Sequence, residues 1–290
     1  MTIAVFGARG FIGGRLTSAL TRGGHDVVAI SSAEAFDAAS GLLRPPPFAG
    51  RLDSVVYLSQ SPRYRDLPQQ SAHVWGVNVM SALMAAEWAR HCGASQFIYA
   101  STGTVYSPSF AAHRESDPVR RDGGYALSKI HAEEALHQFA GQMRIALARC
   151  FSVYGPRQRD KLIPNLIARI QSGAAVDLQP RPRQPDDRDG VRLSLIHVDD
   201  AVRVFVRLIE SGCSGPINVA SDQVLSIRAI ADTIGAGLGT APRYTTAAAP
   251  REGDVIADTS RLSAILDGPY KTFQSSIGEV ISAAMTVMPE

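Results

Sequence analysis

Cysteine is scarce in this chain. The three residues, Cys92, Cys150 and Cys213, are far apart and form no Cys-x-x-Cys pair. An odd, dispersed set excludes a disulfide framework and predicts reduced thiols. The seven histidines fall in no ligand spacing, so no metal site is expected. Lysine is equally scarce: Lys129, Lys161 and Lys271 are three of the 29 basic residues, which makes any well-spaced lysine informative. No apolar run approaches the roughly 18 residues of a membrane span. The first strand begins at about Thr2 and leaves no room for a leader, so a cytoplasmic location is expected. Net charge is only +2, which gives no electrostatic ground for nucleic-acid binding.

Hydrophobic residues make up 45% of the chain, enough for a packed core. Thr2 to Phe6 is a short apolar run that ends at Gly7. Phe11, Ile12, Leu16, Ala19 and Leu20 then recur at helical spacing up to Gly23 and Gly24. Strands are read at 27–30, 53–58, 96–100 and 144–149, with helices at 78–90 and 125–139 between them. Alternation of this kind predicts a parallel sheet covered on both faces. The second half reads differently. Helices are expected at 162–170, 198–209 and 226–238, with a short strand at 217–220. Residues 180–190 read as an exposed loop and 241–253 as irregular. The boundary is placed near Tyr154. Asp199 and Asp200 are read as helix caps, His197 as a structural hydrogen-bonding residue, and Trp75 and Trp88 as packing.

Gly7, Gly10 and Gly13 form G-x-x-G-x-x-G between a strand and a helix. A tight turn, close approach to a pyrophosphate and close helix packing each demand glycine there. The free N–H groups of the helix start then face the phosphates. The next strand ends in Ser31-Ser32 rather than in a carboxylate, and Arg9 sits inside the loop. This pattern favours NADP slightly over NAD, with Arg9 pairing a 2′-phosphate. The alternative is a solvated Arg9 with Ser31 on the ribose of NAD.

Tyr125 and Lys129 are four residues apart in a predicted helix and share a face. An ammonium beside a phenol favours the phenolate and makes the tyrosine a usable acid or base. Thr102 ends a strand at the carboxyl edge, where open parallel sheets bind ligands.

These segments together resemble the extended short-chain dehydrogenase/reductases of the nucleotide-sugar epimerase/dehydratase branch. GARGFIGG, DSVVYLS, the stretch from Asn78 to Thr102, YALSK, RCFSVYGPRQ, LIHVDD and REGDVIADTSRL match in order over nearly the whole chain. The resemblance implies a Rossmann-type domain at 1–154 and a smaller α/β substrate-binding part at 155–290, with 191–210 packing back. It implies that Tyr125 exchanges a proton with a sugar oxygen, that Lys129 holds the nicotinamide ribose, and that Thr102 bonds the reacting oxygen. It places Phe11, Ile12, Ser31, Ser32, Leu58, Ser59, Gln60, Asn78 and Phe151 beside the cofactor. It implies a nucleotide-diphosphate sugar as substrate, with transient oxidation at a sugar carbon, usually C4. A homodimer built on the helices near 80–90 and 125–139 is also implied.

Departures narrow the reading. The Asp-Glu pair of the dehydratases is Gly103-Thr104 here, which argues against 4,6-dehydration. The asparagine of RxxNVYG is Ser152, and an expected diphosphate-binding arginine falls at Leu193. Arg251 keeps one such position, with Arg157 and Arg192 as substitutes. The stretch 32–52 is short for the usual helix and third strand. An epimerase leads. A 4-ketoreductase of a nucleotide-linked deoxy sugar, using NADPH, is second. A non-catalytic dinucleotide sensor is third, disfavoured by the presence of both Tyr125 and Lys129.

Overall fold

The computed structural model describes residues 1–184, 186–266 and 268–286. The first half runs β1 (Thr2–Phe6), α1 (Gly13–Arg22), β2 (Asp26–Ile30), α2 (Ser32–Ala35), β3 (Ser54–Tyr57), α3 (Ser71–Trp75), α4 (Ser81–His91), β4 (Gln96–Thr102), α5 (Gly124–Leu136) and β5 (Arg144–Cys150). Then come β6 (Val153–Tyr154), α6 (Leu162–Gln171), β7 (Val176–Leu178), β8 (Arg192–Ser194), β9 (Ile196–His197), α7 (Val198–Ser211) and β10 (Gly215–Val219). The described chain closes with β11 (Val224–Ser226), α8 (Ile227–Leu238), β12 (Tyr244–Thr246), α9 (Ser260–Ser263) and α10 (Phe273–Met285).

Six strands form one parallel sheet in the order β10-β5-β4-β3-β1-β2. Alternation along β1 decides which layer each side chain joins. Ala4 and Phe6 pack with Tyr57, Tyr99 and the α4–α5 layer, where the edge of Trp88 meets Phe6 at 5.6 Å. Ile3 and Val5 pack with Val56, Ile98, Leu16 of α1 and Phe205 of α7. Phe205 is fully buried, and a side chain of that size contributes about 1.5–3 kcal/mol when taken out of water. The chain runs outward from β1 to β2 and then crosses back to β3 on the other side of β1. That reversal opens a crevice at the carboxyl ends of β1 and β3, the place where such sheets take ligands.

Several boundaries differ from the sequence reading. The helix expected from 78 begins earlier, at Ser71, and is interrupted by a π-turn at Gly76–Met80. A strand, β12, lies in the stretch read as irregular and pairs with β7. Between β2 and β3 the described chain has only α2 and an isolated Phe36–Leu43 bridge, so β2 is the sheet edge. Pro45-Pro46-Pro47 carry no N–H for a further ladder. The return of the second half to the large sheet also goes beyond 191–210. β10 pairs with β5, and Leu262 of α9 joins the α1–α7 layer. A separate core forms between α6, α8 and α10. α7 is capped by the His197 side chain, whose Nδ1 accepts from Asp199 N at 3.3 Å, while Asp199 and Asp200 occupy its first turn.

Candidate active site

The glycine loop is built backbone against backbone. Gly7 takes φ of +79°, a conformation that favours glycine. Gly7 and Ala8 donate their N–H groups to Ile30 O at 2.9 and 3.2 Å, which ties the loop to the end of β2. A Cβ at Gly13 would stand 2.1 Å from Gly7 O. The start of α1 carries no side-chain cap and no acidic residue in its first turn. Gly14 and Leu16 already donate to Gly10 O and Ile12 O, and the turn just before them, with no side chain competing, is the place for an outside acceptor such as a phosphate. The loop fits the pyrophosphate of a dinucleotide.

Gly7, Gly10, Phe11, Ile12 and Gly13 line a cavity of about 450 Å³. The same cavity is lined by Leu58 and Gln60 after β3, Thr102 at the end of β4, Tyr125 and Lys129 on α5, and Ser152 after β5. Tyr125 is half-buried, and its hydroxyl donates to Gln60 Oε1 at 2.9 Å. Burial raises the Tyr125 phenol above its ordinary value, with Thr102 opposing the shift. Lys129 is buried, donates from Nζ to Ala100 O at 2.8 Å, and lies 4.7 Å from the Tyr99 ring centroid. Burial draws its ammonium down to about 8. The Thr102 hydroxyl accepts from Thr104 N at 3.2 Å. Cys150 also lines the cavity, but burial pushes its thiol up to about 12, so it is no thiolate at neutral pH.

Other sequence candidates lie elsewhere. Asn78 is fully buried and off the cavity lining. Its Oδ1 accepts from Ser61 N and its Nδ2 donates to Ser128 Oγ, each at 3.0 Å. It ties the loop after β3 to α5. Phe151 is buried against Gly103 and Tyr106, off the cavity lining. Ser31 is buried at the start of α2, while the hydroxyls of exposed Ser32 and buried Ser59 lie 3.1 Å apart. Arg9 pairs with Glu34 at 3.0 Å, both well exposed. The ground for preferring NADP is thereby weakened. A carboxylate that the sequence reading overlooked, one helical turn beyond Ser31, holds the guanidinium offered to the 2′-phosphate.

The three arginines expected at the substrate are also placed otherwise. Arg157 is exposed, with φ of +68°, and lies outside the cavity lining. Arg192 is exposed on β8 and faces Asp189 at 3.8 Å. Arg251 is buried between Asp187 at 2.7 Å and Asp254 at 2.9 Å, and donates to Gln179 O at 2.9 Å. A desolvated guanidinium takes the nearest carboxylates, and here those belong to the chain itself. Among the described residues, the cations lining the cavity are Lys129 and Lys161. Lys161 was not singled out from the sequence, although the scarcity of lysine was a signal. Its Nζ donates to Tyr64 Oη at 2.7 Å, and the Tyr64 ring lies 5.0 Å from that of Tyr125.

A dinucleotide-type glycine loop facing a half-buried tyrosine and a buried lysine defines a nicotinamide-dependent oxidoreductase class of site. The sequence model of the NAD dependent epimerase/dehydratase family matches residues 3–220. The chain belongs to that family. It is 28% identical to a dTDP-4-dehydro-6-deoxy-D-allose reductase from a Streptomyces species, over 96% of this chain and 94% of the relative. The fold is that of UDP-glucuronic acid 4-epimerase from Bacillus cereus in complex with UDP-glucuronic acid and NAD. That match has a TM-score of 0.81 and 21% identity, covering 99% of this chain and 100% of the other. It is also that of Thermus thermophilus UDP-glucose 4-epimerase in complex with NAD, with a TM-score of 0.78 and 22% identity, covering 99% and 100%. Among the described residues, no helix is long and apolar enough to cross a membrane, and no side-chain cluster is suited to a metal ion.

Proposed function

We propose that the protein is an NAD(P)-dependent epimerase of a nucleotide-linked sugar, acting by transient oxidation at one sugar carbon. The observation that carries this is the meeting of Tyr125, Lys129 and Thr102 with the glycine loop in one cavity. A bound nicotinamide dinucleotide supplies the hydride acceptor and donor. Tyr125 Oη takes the proton from the sugar hydroxyl during oxidation and returns it during reduction. Thr102 Oγ1 holds the reacting oxygen, and Lys129 Nζ holds the nicotinamide ribose and steadies the phenolate. Gly7, Gly10 and Gly13 receive the pyrophosphate, with Leu58, Ser59 and Gln60 along the cofactor. Ser152 and Lys161 face the substrate from the second half of the chain.

The cofactor is NAD in this reading. Glu34 beside Arg9 disfavours a 2′-phosphate, and the solved structures compared above hold NAD. Residues 1–154, together with α7, α9 and β10, form the cofactor part. The remainder, around α6, α8 and α10, forms the substrate part. The protein acts in the cytoplasm as a homodimer through α4 and α5. Met80 is exposed on that surface, beside a shallow depression lined by Leu83, Met84 and Phe139.

A second reading is a 4-ketoreductase of a nucleotide-linked deoxy sugar. Two observations favour it: the Streptomyces reductase matched along 96% of this chain, and the acceptor that holds the Tyr125 hydroxyl in its protonated form. One experiment separates the two. Freshly purified protein is denatured and any released dinucleotide is identified by mass. NAD near one per chain is expected and supports a cofactor recycled in place. An empty protein that oxidises NADPH or NADH with a dTDP-4-keto-6-deoxy sugar overturns the epimerase and establishes the reductase. Turnover that survives Tyr125→Phe overturns both.

A further inference from the structure

Gln60 reaches the cavity from a segment that is fixed on both sides. Ser59 and Ser61 flank it and are buried, at 3% and 0% exposure. The Ser59 hydroxyl meets that of Ser32 at 3.1 Å, and Ser61 Oγ meets His73 Nδ1 at 2.8 Å. Asn78 then links this segment to the helix that carries the catalytic tyrosine. It accepts from Ser61 N and donates to Ser128 Oγ, and Ser128 Oγ in turn donates to Tyr125 O at 2.8 Å. One buried amide therefore sets the backbone of Gln60 against that of Tyr125. The 2.9 Å bond from Tyr125 Oη to Gln60 Oε1 spans two anchored elements, 65 residues apart in sequence.

We propose that Gln60 is a positioning residue for the proton-transfer step, accepting from the Tyr125 hydroxyl and so holding the protonated phenol, formed when the sugar hydroxyl is oxidised, in place to return its proton in the reduction. This role rests on the reading of Tyr125 as the acid and base of the reaction. An acceptor stabilises the protonated phenol and offers nothing to the phenolate. Among the described residues, Gln60 Oε1 is the side-chain acceptor bonded by Tyr125 Oη, while the Thr102 hydroxyl acts on the phenol in the opposite direction. Lys129 on α5 donates to Ala100 O, the Thr102 hydroxyl on β4 is engaged with Thr104, and Cys150 on β5 is a buried thiol. Tyr64, in the loop after β3, has its own hydroxyl on Lys161. Reduction would add hydride from the bound dinucleotide to the sugar carbonyl carbon and the Tyr125 Oη proton to its oxygen, so that an alcohol forms and the phenolate remains.

The test follows ionisation directly. Protein labelled with 13Cζ-tyrosine is titrated by NMR with saturating NAD+, the Tyr125 signal being identified by its loss in Tyr125→Phe. Gln60→Ala is expected to move the Tyr125 midpoint down by roughly five- to tenfold in proton affinity, the size of one lost hydrogen bond. Gln60→Glu is expected to move it up, because a carboxylate holds the O–H more tightly and opposes the phenolate. A residue that merely packs would not order the three proteins in this way. Coincident titrations, or shifts of the same sign in both variants, overturn the proposal. So does tighter NAD+ binding by Gln60→Ala with an unmoved midpoint, which would make Gln60 only an occupant of the nicotinamide space. Spectra of the parent protein that do not respond to NAD+ would count against the function reading alone. The order of the three midpoints would still decide the role of Gln60.

Discussion

Lys129→Met tests the cost of keeping the Lys129 ammonium out of water. Burial lowers the lysine from 10.5 to about 8. A factor of ten in proton affinity is about 1.4 kcal/mol, so the folded chain carries a cost on the order of 3 kcal/mol at neutral pH. Methionine fills a similar shape and removes that cost. It also leaves Ala100 O without its 2.8 Å donor, which costs about 1–3 kcal/mol. Near pH 7 the variant is therefore expected to be as stable as the parent, or more stable by up to about 2 kcal/mol. The sign then changes with pH. Below about 8 the lysine is protonated in both folded and unfolded chains, so the full cost is present. Between about 8 and 10.5 the folded chain releases its proton while the unfolded chain keeps it. The unfolded state then binds more protons, and the parent gains stability relative to the variant as pH rises. Urea unfolding of both proteins at about pH 7 and about pH 10 reads this out. The difference should move by on the order of 2–3 kcal/mol in favour of the parent. A difference independent of pH, or a variant several kcal/mol less stable near neutrality, refutes the reasoning.

Three further outcomes follow from the same geometry. Gly13→Ala places a Cβ 2.1 Å from Gly7 O, so the loop must open and dinucleotide affinity should fall by more than about tenfold; fluorescence titration with NADH at parental affinity would refute this. Arg251→Met leaves the Asp187 and Asp254 carboxylates without their cation and should cost about 3–5 kcal/mol in urea unfolding. Unchanged stability with a raised KM would instead make Arg251 a substrate anchor. Glu34→Gln frees Arg9 and removes a negative charge, so the NADP-to-NAD affinity ratio should rise by about tenfold at low salt. An unchanged ratio, measured with both dinucleotides, would place the 2′ position elsewhere.

What could be read from the sequence was short-range. The glycine loop, the strand–helix alternation and the four-residue step from Tyr125 to Lys129 are set by backbone sterics and by periods of two and 3.6 residues. Those signals are complete within a few residues. They placed the parallel sheet, the crevice and the pair of side chains facing it.

Tertiary structure decided which distant groups meet. Arg251 and Asp187 lie 64 positions apart, and no local rule tells a guanidinium that its carboxylates come from its own chain rather than from a ligand. Desolvation settles it, because a buried cation must be paired where it lies. Arg9 and Glu34, Lys161 and Tyr64, and Gln60 and Tyr125 are also brought together only by the fold, the first two pairs in exposed contacts where burial does not enforce the pairing. Asn78 shows the point most directly. The resemblance implied a place beside the cofactor, and folding sets both ends of its amide on Ser61 and Ser128, partners the sequence did not indicate. A buried amide spends its hydrogen bonds on whatever polar groups the packing brings within about 3 Å, and only the folded chain determines which those are.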